Sequence, residues 1–459
     1  MNLKTTVALN LGKFIIFLIK AFGGGATSAP GLLAEIIDPQ ILTKLSTNLE
    51  AGAILITGTN GKTTTSRILS SILQTANLQI VHNRSGSNLT RGLITQLIKA
   101  ATSSGKIKED LALFEVDEAT LPKVVAAIHP RVIVINNLFR DQLDRYGEVD
   151  IIRKKWLDAL RFLGPETTLI LNSDDPLVAS LAKNTKTNIL FFGLRDKKNI
   201  LKKAPHAVDA LLCPECSSEL KFDYFYISHM GKFFCPNCKF SQPRAQISAN
   251  FIKLFGPDST NTRIFVEENG FEINLKLGGL YNIYNTLAAV SAAVCLGLSL
   301  PQIKEGLNKF EVAFGRLEKI KIEDKYITSA LVKNPVGFNE TLRLLFSDKK
   351  EKNLLIIIND LIADGRDVSW LWDVDFETLK DFENTITVSG TRYLDMKLRL
   401  KYSQITNVAS YQNLEEAFQE AVGKTKKEET LYVLPTYTAM LKLREILAKK
   451  GLAKRFWED

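Results

Sequence analysis

The sequence predicts an α/β protein with doubly wound sheets, and three observations carry that expectation. Short, unbroken apolar runs rich in β-branched residues recur along the chain: AILIT, LALFEV, RVIVIN and TLILN, later NLLIII, TITVS and LYVLP. Runs of this kind mark strands buried on both faces, the habit of parallel sheets. Helix-period segments lie between them; in LEEAFQEAV, Leu414, Ala417, Phe418, Ala421 and Val422 share one face. The alternation breaks twice, near residues 202–245 and around KFEVAFGRLEKI at 309–320, which divides it into two sets.

Bulk properties agree with this class. A chain of 459 residues is long enough for two or three domains with sizeable cores. With 45% hydrophobic and 24% charged residues and no repeats, it is neither fibrous nor disordered. The net charge of +9 favours an anionic partner without choosing among nucleic acid, membrane surface and phosphorylated substrate.

Residues 1–45 are expected to form an N-terminal helical segment, with a helix over 5–22 packed on the body. Its apolar core FIIFLI, bracketed by Lys13 and Lys20, is far shorter than the ~20 residues that cross a bilayer. The sequence therefore predicts a cytoplasmic protein, with contact between this helix and the inner face of a membrane as the lesser expectation.

A middle domain over 46–314 follows. AILITGTNGKTTTSRIL reads as strand, glycine turn and amphipathic helix, the setting in which a glycine-rich match becomes a phosphate site. Gly58 and Gly61 let the backbone come close, the helix start aims amide dipoles at phosphates, Lys62 meets the outer phosphates, and the Thr63 hydroxyl suits Mg²⁺. The loop is shorter than G-x-x-x-x-G-K-[ST], with Ile56 where the first glycine would stand.

Cys213-Pro-Glu-Cys216 and Cys235-Pro-Asn-Cys238 interrupt this domain, in an insertion at 202–245. Two C-x-x-C turns about twenty residues apart have the spacing of a structural, tetrahedral Zn²⁺ site. Disulfides or a redox pair would use the same residues, but a bridge within each turn staples almost nothing. KFDYFYISHMGKFF reads as short strands of a zinc ribbon, with His229 an exposed residue rather than a ligand. Cys295, within an apolar helix, is a core residue. A C-terminal Rossmann-like α/β domain covers 315–459.

GTNGKTTT resembles the ATP-binding loop of the Mur ligase superfamily, and five further motifs follow in that family's order. These are FEVDEA, NLFRDQLDRYG, LNSDDP, LGGLYNIYN and FGRLE. The resemblance implies ATP contacts from Gly58, Thr59, Asn60, Gly61, Lys62, Thr63, Thr64, Asn137, Asn282 and Arg316, and Mg²⁺ at Thr63 and Glu115. The departures are equally specific. Gln142 replaces a usual histidine, ALVKNP at 330–335 replaces D-Y-A-H-x-P, and the uridine-nucleotide domain is missing.

Together with the Cys₄ insertion, these departures make the chain resemble the branch that amidates a lipid-linked substrate, lipid II, rather than adding an amino acid. The implied reaction converts the D-glutamate α-carboxylate of the stem peptide to D-isoglutamine through an acyl phosphate, with Lys62 and Glu115 at the catalytic centre. No cysteine is left over to act as a glutaminase nucleophile, so ammonia must come from another chain, by resemblance a GatD-type glutamine amidotransferase. An aspartate of ADGRDVSWLWD is implied to orient the partner's histidine: Asp367 first, with Asp364 and Asp373 as alternates. A ligase that adds an amino acid is the second reading. A nucleic-acid-binding ATPase is the third, disfavoured by dispersed basic residues and the lack of an aromatic platform.

Overall fold

The computed structural model describes residues 2–84, 87–141, 148–183, 185–311, 316–347 and 351–452. Helix α1 (Leu3–Ala21) is capped by Asn2, whose Oδ1 accepts from the Thr5 amide at 2.9 Å. Its inner face, Thr5, Ala8, Leu9, Gly12 and Ile16, is buried against α2 (Ala29–Ile37) and a later helix, α5 (Thr90–Ala100). A short α3 (Ile41–Ser46) leads into the first sheet.

That sheet takes the order β11-β10-β9-β6-β5-β4-β1-β3-β2. Its parallel part comprises β1 (Ala53–Thr57), β2 (Ile80–His82), β3 (Leu111–Glu115), β4 (Val132–Ile135), β5 (Thr168–Asn172) and β6 (Asn188–Leu194). Every residue of β1, β3 and β4 is buried, because helices cover both faces. The connecting helices are α4 (Lys62–Thr75), α5, α6 (Leu121–Ile128), α7 (Val149–Leu160) and the single turn α8 (Pro176–Ala179).

The expectation of parallel sheets needs correction at the edges. Strands β9 (Ile247–Phe255), β10 (Ser259–Val266) and β11 (Asn269–Leu275) pair antiparallel. One face of this edge meets α9 (Leu280–Cys295) and α10 (Leu300–Lys309) while the other side chains alternate outward, so no unbroken apolar run announces it.

The second sheet takes the order β12-β13-β17-β14-β15-β16. It contains β12 (Arg316–Ile322), β13 (Lys325–Ala330), β14 (Asn353–Ile357), β15 (Ile386–Ser389), β16 (Val408–Ser410) and β17 (Thr430–Pro435), antiparallel only at β12–β13. Helices α11 (Pro335–Leu345), α12 (Tyr393–Tyr402), α13 (Leu414–Lys424) and α14 (Tyr437–Lys449) complete it. Ala417, Phe418 and Ala421 are the buried residues of α13, with Leu414 and Val422 packed beside them, as the helical spacing predicted.

Between β6 and β9 the chain leaves the sheet and forms the hairpin β7 (Lys221–Ile227) and β8 (Met230–Phe234). Its tip, carrying Ser228 at φ 49° and His229, points inward. His229 is fully buried against the Phe139 ring, with centroids 4.9 Å apart, and lies 3.4 Å from Asp175. The expectation that it is exposed is wrong, because the hairpin packs its tip onto the first sheet instead of projecting into solvent.

Candidate active site and thiol cluster

The tight turn from β1 to α4 forces glycine at two positions. Gly58 and Gly61 have φ of 130° and 89°, a region other residues seldom adopt. A Cβ at Gly61 would stand 2.0 Å from Asn285 Oδ1, and one at Gly58 would stand 3.0 Å from the Asn137 backbone. The loop is thus clamped between the end of β4 and the start of α9, and α4 begins at Lys62 with its first amides facing the turn.

Lys62 is buried. Its Nζ donates to the carbonyls of Gly58 at 2.6 Å and Thr59 at 3.3 Å, and to Glu118 Oε2 at 3.0 Å. Burial pushes the Glu118 carboxyl above its ordinary range, Lys62 and Lys333 pull it down, and Asp117 and Asp141 push it further up. The Thr63 hydroxyl donates to Glu115 Oε2 at 2.8 Å, while Asn83 brackets the Glu115 backbone through bonds of 2.8 and 2.9 Å.

Asn137 grips Asn60 from both sides, accepting from its amide at 2.8 Å and donating to its carbonyl at 3.1 Å. Thr59 Oγ1 accepts from the Phe139 amide at 2.9 Å, and Thr64 is buried in the first turn of α4. At the start of α9, Asn285 donates to Asn282 Oδ1 and Asn282 donates to the Gly278 carbonyl. The loop, Asn137, Asn282 and the Thr63–Glu115 pair therefore converge. Arg316 opens β12 opposite Ala330, on the strand pair that leads toward Lys333. Gln142 lies outside the described residues.

Residues that sequence reasoning missed close the site from the second sheet. Lys333 reaches Asp141 at 2.6 Å, and Asn334 donates to Asn60 Oδ1 at 3.0 Å while capping α11 through the Gly337 amide. Both belong to ALVKNP, read only as a lost motif, and Glu118 stood unremarked in FEVDEA. Their residue types were visible; their convergence was not.

The three aspartates of the acidic loop differ among themselves in burial and partners. Asp364 is buried and accepts from the Thr438 amide at 2.7 Å and from its hydroxyl. Asp373 lies 3.9 Å from Arg140. Asp367 is exposed, accepts a local bond from the Ser369 amide at 2.8 Å, and lines a groove of about 310 Å³ with Arg366, Trp372, Arg392 and Leu398.

The four thiols of Cys213, Cys216, Cys235 and Cys238 lie within 4.8 Å of one another, and among the described residues no other group of three or more His, Cys, Asp or Glu converges this way. Two contacts of 3.5 Å cross between the C-x-x-C turns, Cys213 to Cys238 and Cys216 to Cys235. A tetrahedron of sulfurs around zinc has edges of about 3.8 Å, so the set is compatible with that ion. Cys295 ends α9, half-buried in the core.

A glycine loop opening a helix, a Thr–Glu pair beside it and a second α/β sheet reaching over it define a protein of the Mur ligase kind. The Mur ligase middle domain model matches residues 56–241 and the MurT ligase C-terminal model matches 331–440. Subunit MurT of the lipid II isoglutaminyl synthase (glutamine-hydrolyzing) of Streptococcus pneumoniae is 36% identical over 459 residues, 99% of either chain. That of Staphylococcus aureus is 33% identical over 444 residues, covering 96% of this chain and 97% of its own. The chain belongs to the MurT family of Mur-type ATP-dependent ligases, a membership that implies ATP and Mg²⁺.

Solved structures share the fold at lower identity. A pseudomurein peptide ligase type C from Methanothermus fervidus gives a TM-score of 0.66 at 23% identity, covering 88% of this chain and 79% of that one. MurF of Thermotoga maritima in complex with ADP gives 0.63 at 13% identity, covering 90% and 82%.

Proposed function

We propose that this chain uses ATP to activate the D-glutamate α-carboxylate of the lipid II stem peptide, and that ammonia from a GatD-type glutaminase partner converts it to D-isoglutamine. The observation that carries the reading is the convergence of Lys62, Thr63 and Glu115 in one cradle, within a chain similar to MurT subunits along its whole length. ATP supplies the γ-phosphoryl group that makes the carboxylate an acyl phosphate. Gly58–Gly61 and the first turn of α4 cradle the phosphates, Lys62 turns from its own loop carbonyls toward the transferred group, and Thr63 and Glu115 hold Mg²⁺. Asn137 and Asn282, with Arg316 from β12, hold the rest of the nucleotide. Ammonia attacks the carbonyl carbon, phosphate leaves with the C–O bond pair, and a proton is lost to give the amide.

Asp367 is the aspartate we assign to the partner's catalytic histidine. Its exposure, its place in a groove and the half-exposed Trp372 beside it support that role, as an aromatic and a carboxylate at one surface suit an interface. Asp364 is committed to Thr438 and serves the fold. Zinc on the four cysteines, in an insertion at 202–245, ties the hairpin to the domain over 46–314, and the partner binds the domain over 315–459. The chain co-purified with its amidotransferase partner is expected to amidate lipid II in the presence of ATP, Mg²⁺ and glutamine, read by mass spectrometry as acid converted to amide. Amino-acid addition by this chain alone, without amidation by the pair, overturns the reading.

A further inference from the structure

We propose that the outward face of α1 and α2 docks flat onto an anionic lipid surface. Helix α1 is apolar on two opposite sides. At about 100° per residue, the buried face of Thr5, Ala8, Leu9, Gly12 and Ile16 is opposed by a second stripe, Leu3, Val7, Phe14, Leu18 and Phe22, with Phe17 at its edge. All six of these are exposed, Leu3 at 81%, Phe17 at 67% and Phe22 at 89%, and Leu32 and Ile36 on α2 are exposed beside them. A helix at a water-facing surface carries a mostly polar outer side; on this one only Lys4 and Asn10 interrupt the apolar stripe.

Charge identifies the occupant. Lys13 and Lys20 border the stripe on the Phe17 side and Lys4 on the Phe22 side, and the first acidic residue of the chain is Glu35, which is paired with Lys123 at 2.6 Å. Apolar residues rimmed by lysines, with no carboxylate among the first 34 residues, match the boundary between acyl chains and anionic headgroups, where lysines reach back to phosphate. The helix lies on that boundary and does not cross it: Thr5 donates to Asp38 at 2.6 Å on the inner face, and no helix among the described residues is long and apolar enough to span a membrane.

The placement also fits the site. Gly31 of α2 meets α5 so closely that a Cβ would stand 1.8 Å from the Arg91 carbonyl. The chain entering α5 carries Asn83, which brackets the Glu115 backbone. The docking face is thus one helix removed from the Thr63–Glu115 pair, a placement suited to a substrate anchored in lipid.

Flotation of the full chain, with its partner, on vesicles of phosphatidylcholine alone and of phosphatidylcholine mixed with phosphatidylglycerol tests the proposal. Binding to the mixed vesicles is expected. Phe14→Ser with Phe17→Ser is expected to weaken it at least about tenfold. Lys4→Gln with Lys20→Gln is expected to remove about tenfold of the preference for the anionic vesicles. All four side chains lie outside the core, so thermal unfolding of both variants should match the parent. Absence of flotation, flotation equal in parent and phenylalanine variant, or a self-associated species that the phenylalanine variant abolishes without any vesicle binding overturns the proposal. Amidation of detergent-solubilised lipid II does not depend on this face, so a failure here leaves the proposed reaction standing.

Discussion

Gly61 shows how little freedom the glycine loop has. Its positive φ and the nearness of Asn285 act together, so Gly61→Ala is expected to weaken ATP binding by roughly tenfold or more, measured by titration calorimetry. The aspartates make a paired prediction. Asp367→Asn should abolish glutamine-dependent amidation and leave ammonia-dependent amidation largely intact. Asp364→Asn, which disturbs the bonds from Thr438, should instead lower the melting temperature and both activities together. Glu340 offers a pH signature. Burial raises its carboxyl to about 7 from the usual 4.5, and Arg343, its counter-charge at 3.7 Å, is shared with the Tyr226 and Asn199 carbonyls. The folded state therefore holds this proton more tightly than the unfolded chain. Stability is unaffected below about pH 4.5 and falls as pH rises toward 7, by on the order of 3 kcal/mol. Glu340→Gln should flatten that slope in thermal unfolding between pH 4.5 and 7.5 relative to the parent, and an unchanged slope would refute it.

At the scale of elements, the hairpin β7–β8 is tied to α9 through one buried residue, Asp174. Asp174 accepts from Gln242 at 2.6 Å and from the Tyr284 hydroxyl of α9 at 2.7 Å, while its backbone carbonyl accepts from the Gly231 amide. Tyr284 is the neighbour of Asn285, which presses on Gly61. Elemental analysis of the purified chain is expected to find stoichiometric zinc. Its removal, or Cys213→Ser, should lower the melting temperature substantially and weaken ATP binding through α9. The same scale explains what could be read in advance. Strands β1, β3, β4, β5, β14, β15 and β17 were legible because burial on both faces makes them mostly apolar, with few polar residues beyond their ends. Strands β9 to β11 were not, since an edge sheet with one wet face alternates, and His229 was misread because nothing local says which way a hairpin tip points.

Across the whole molecule, the two sheets meet at the glycine loop between β1 and α4. Lys333–Asp141 and Asn334–Asn60 close the contact at the loop, and farther out Arg343 donates to the Tyr226 and Asn199 carbonyls while His206 sits 3.0 Å from Asp375. Asn334→Ala should therefore raise the KM for ATP several-fold and cost about 1 kcal/mol through loss of the α11 cap. If KM stays fixed while stability falls, Asn334 is a cap alone. The sequence by itself determined the α/β class, the glycine turn that opens a helix at Lys62 and the thiol quartet, because each follows from residue types at close spacing. Only the tertiary structure decided that Glu118 holds Lys62, that Asp364 is committed while Asp367 is exposed, and that Lys333 and Asn334 arrive at the loop. The last of these contacts join residues 192 and 274 positions apart, and at such separations only the packing of one sheet against the other brings side chains together.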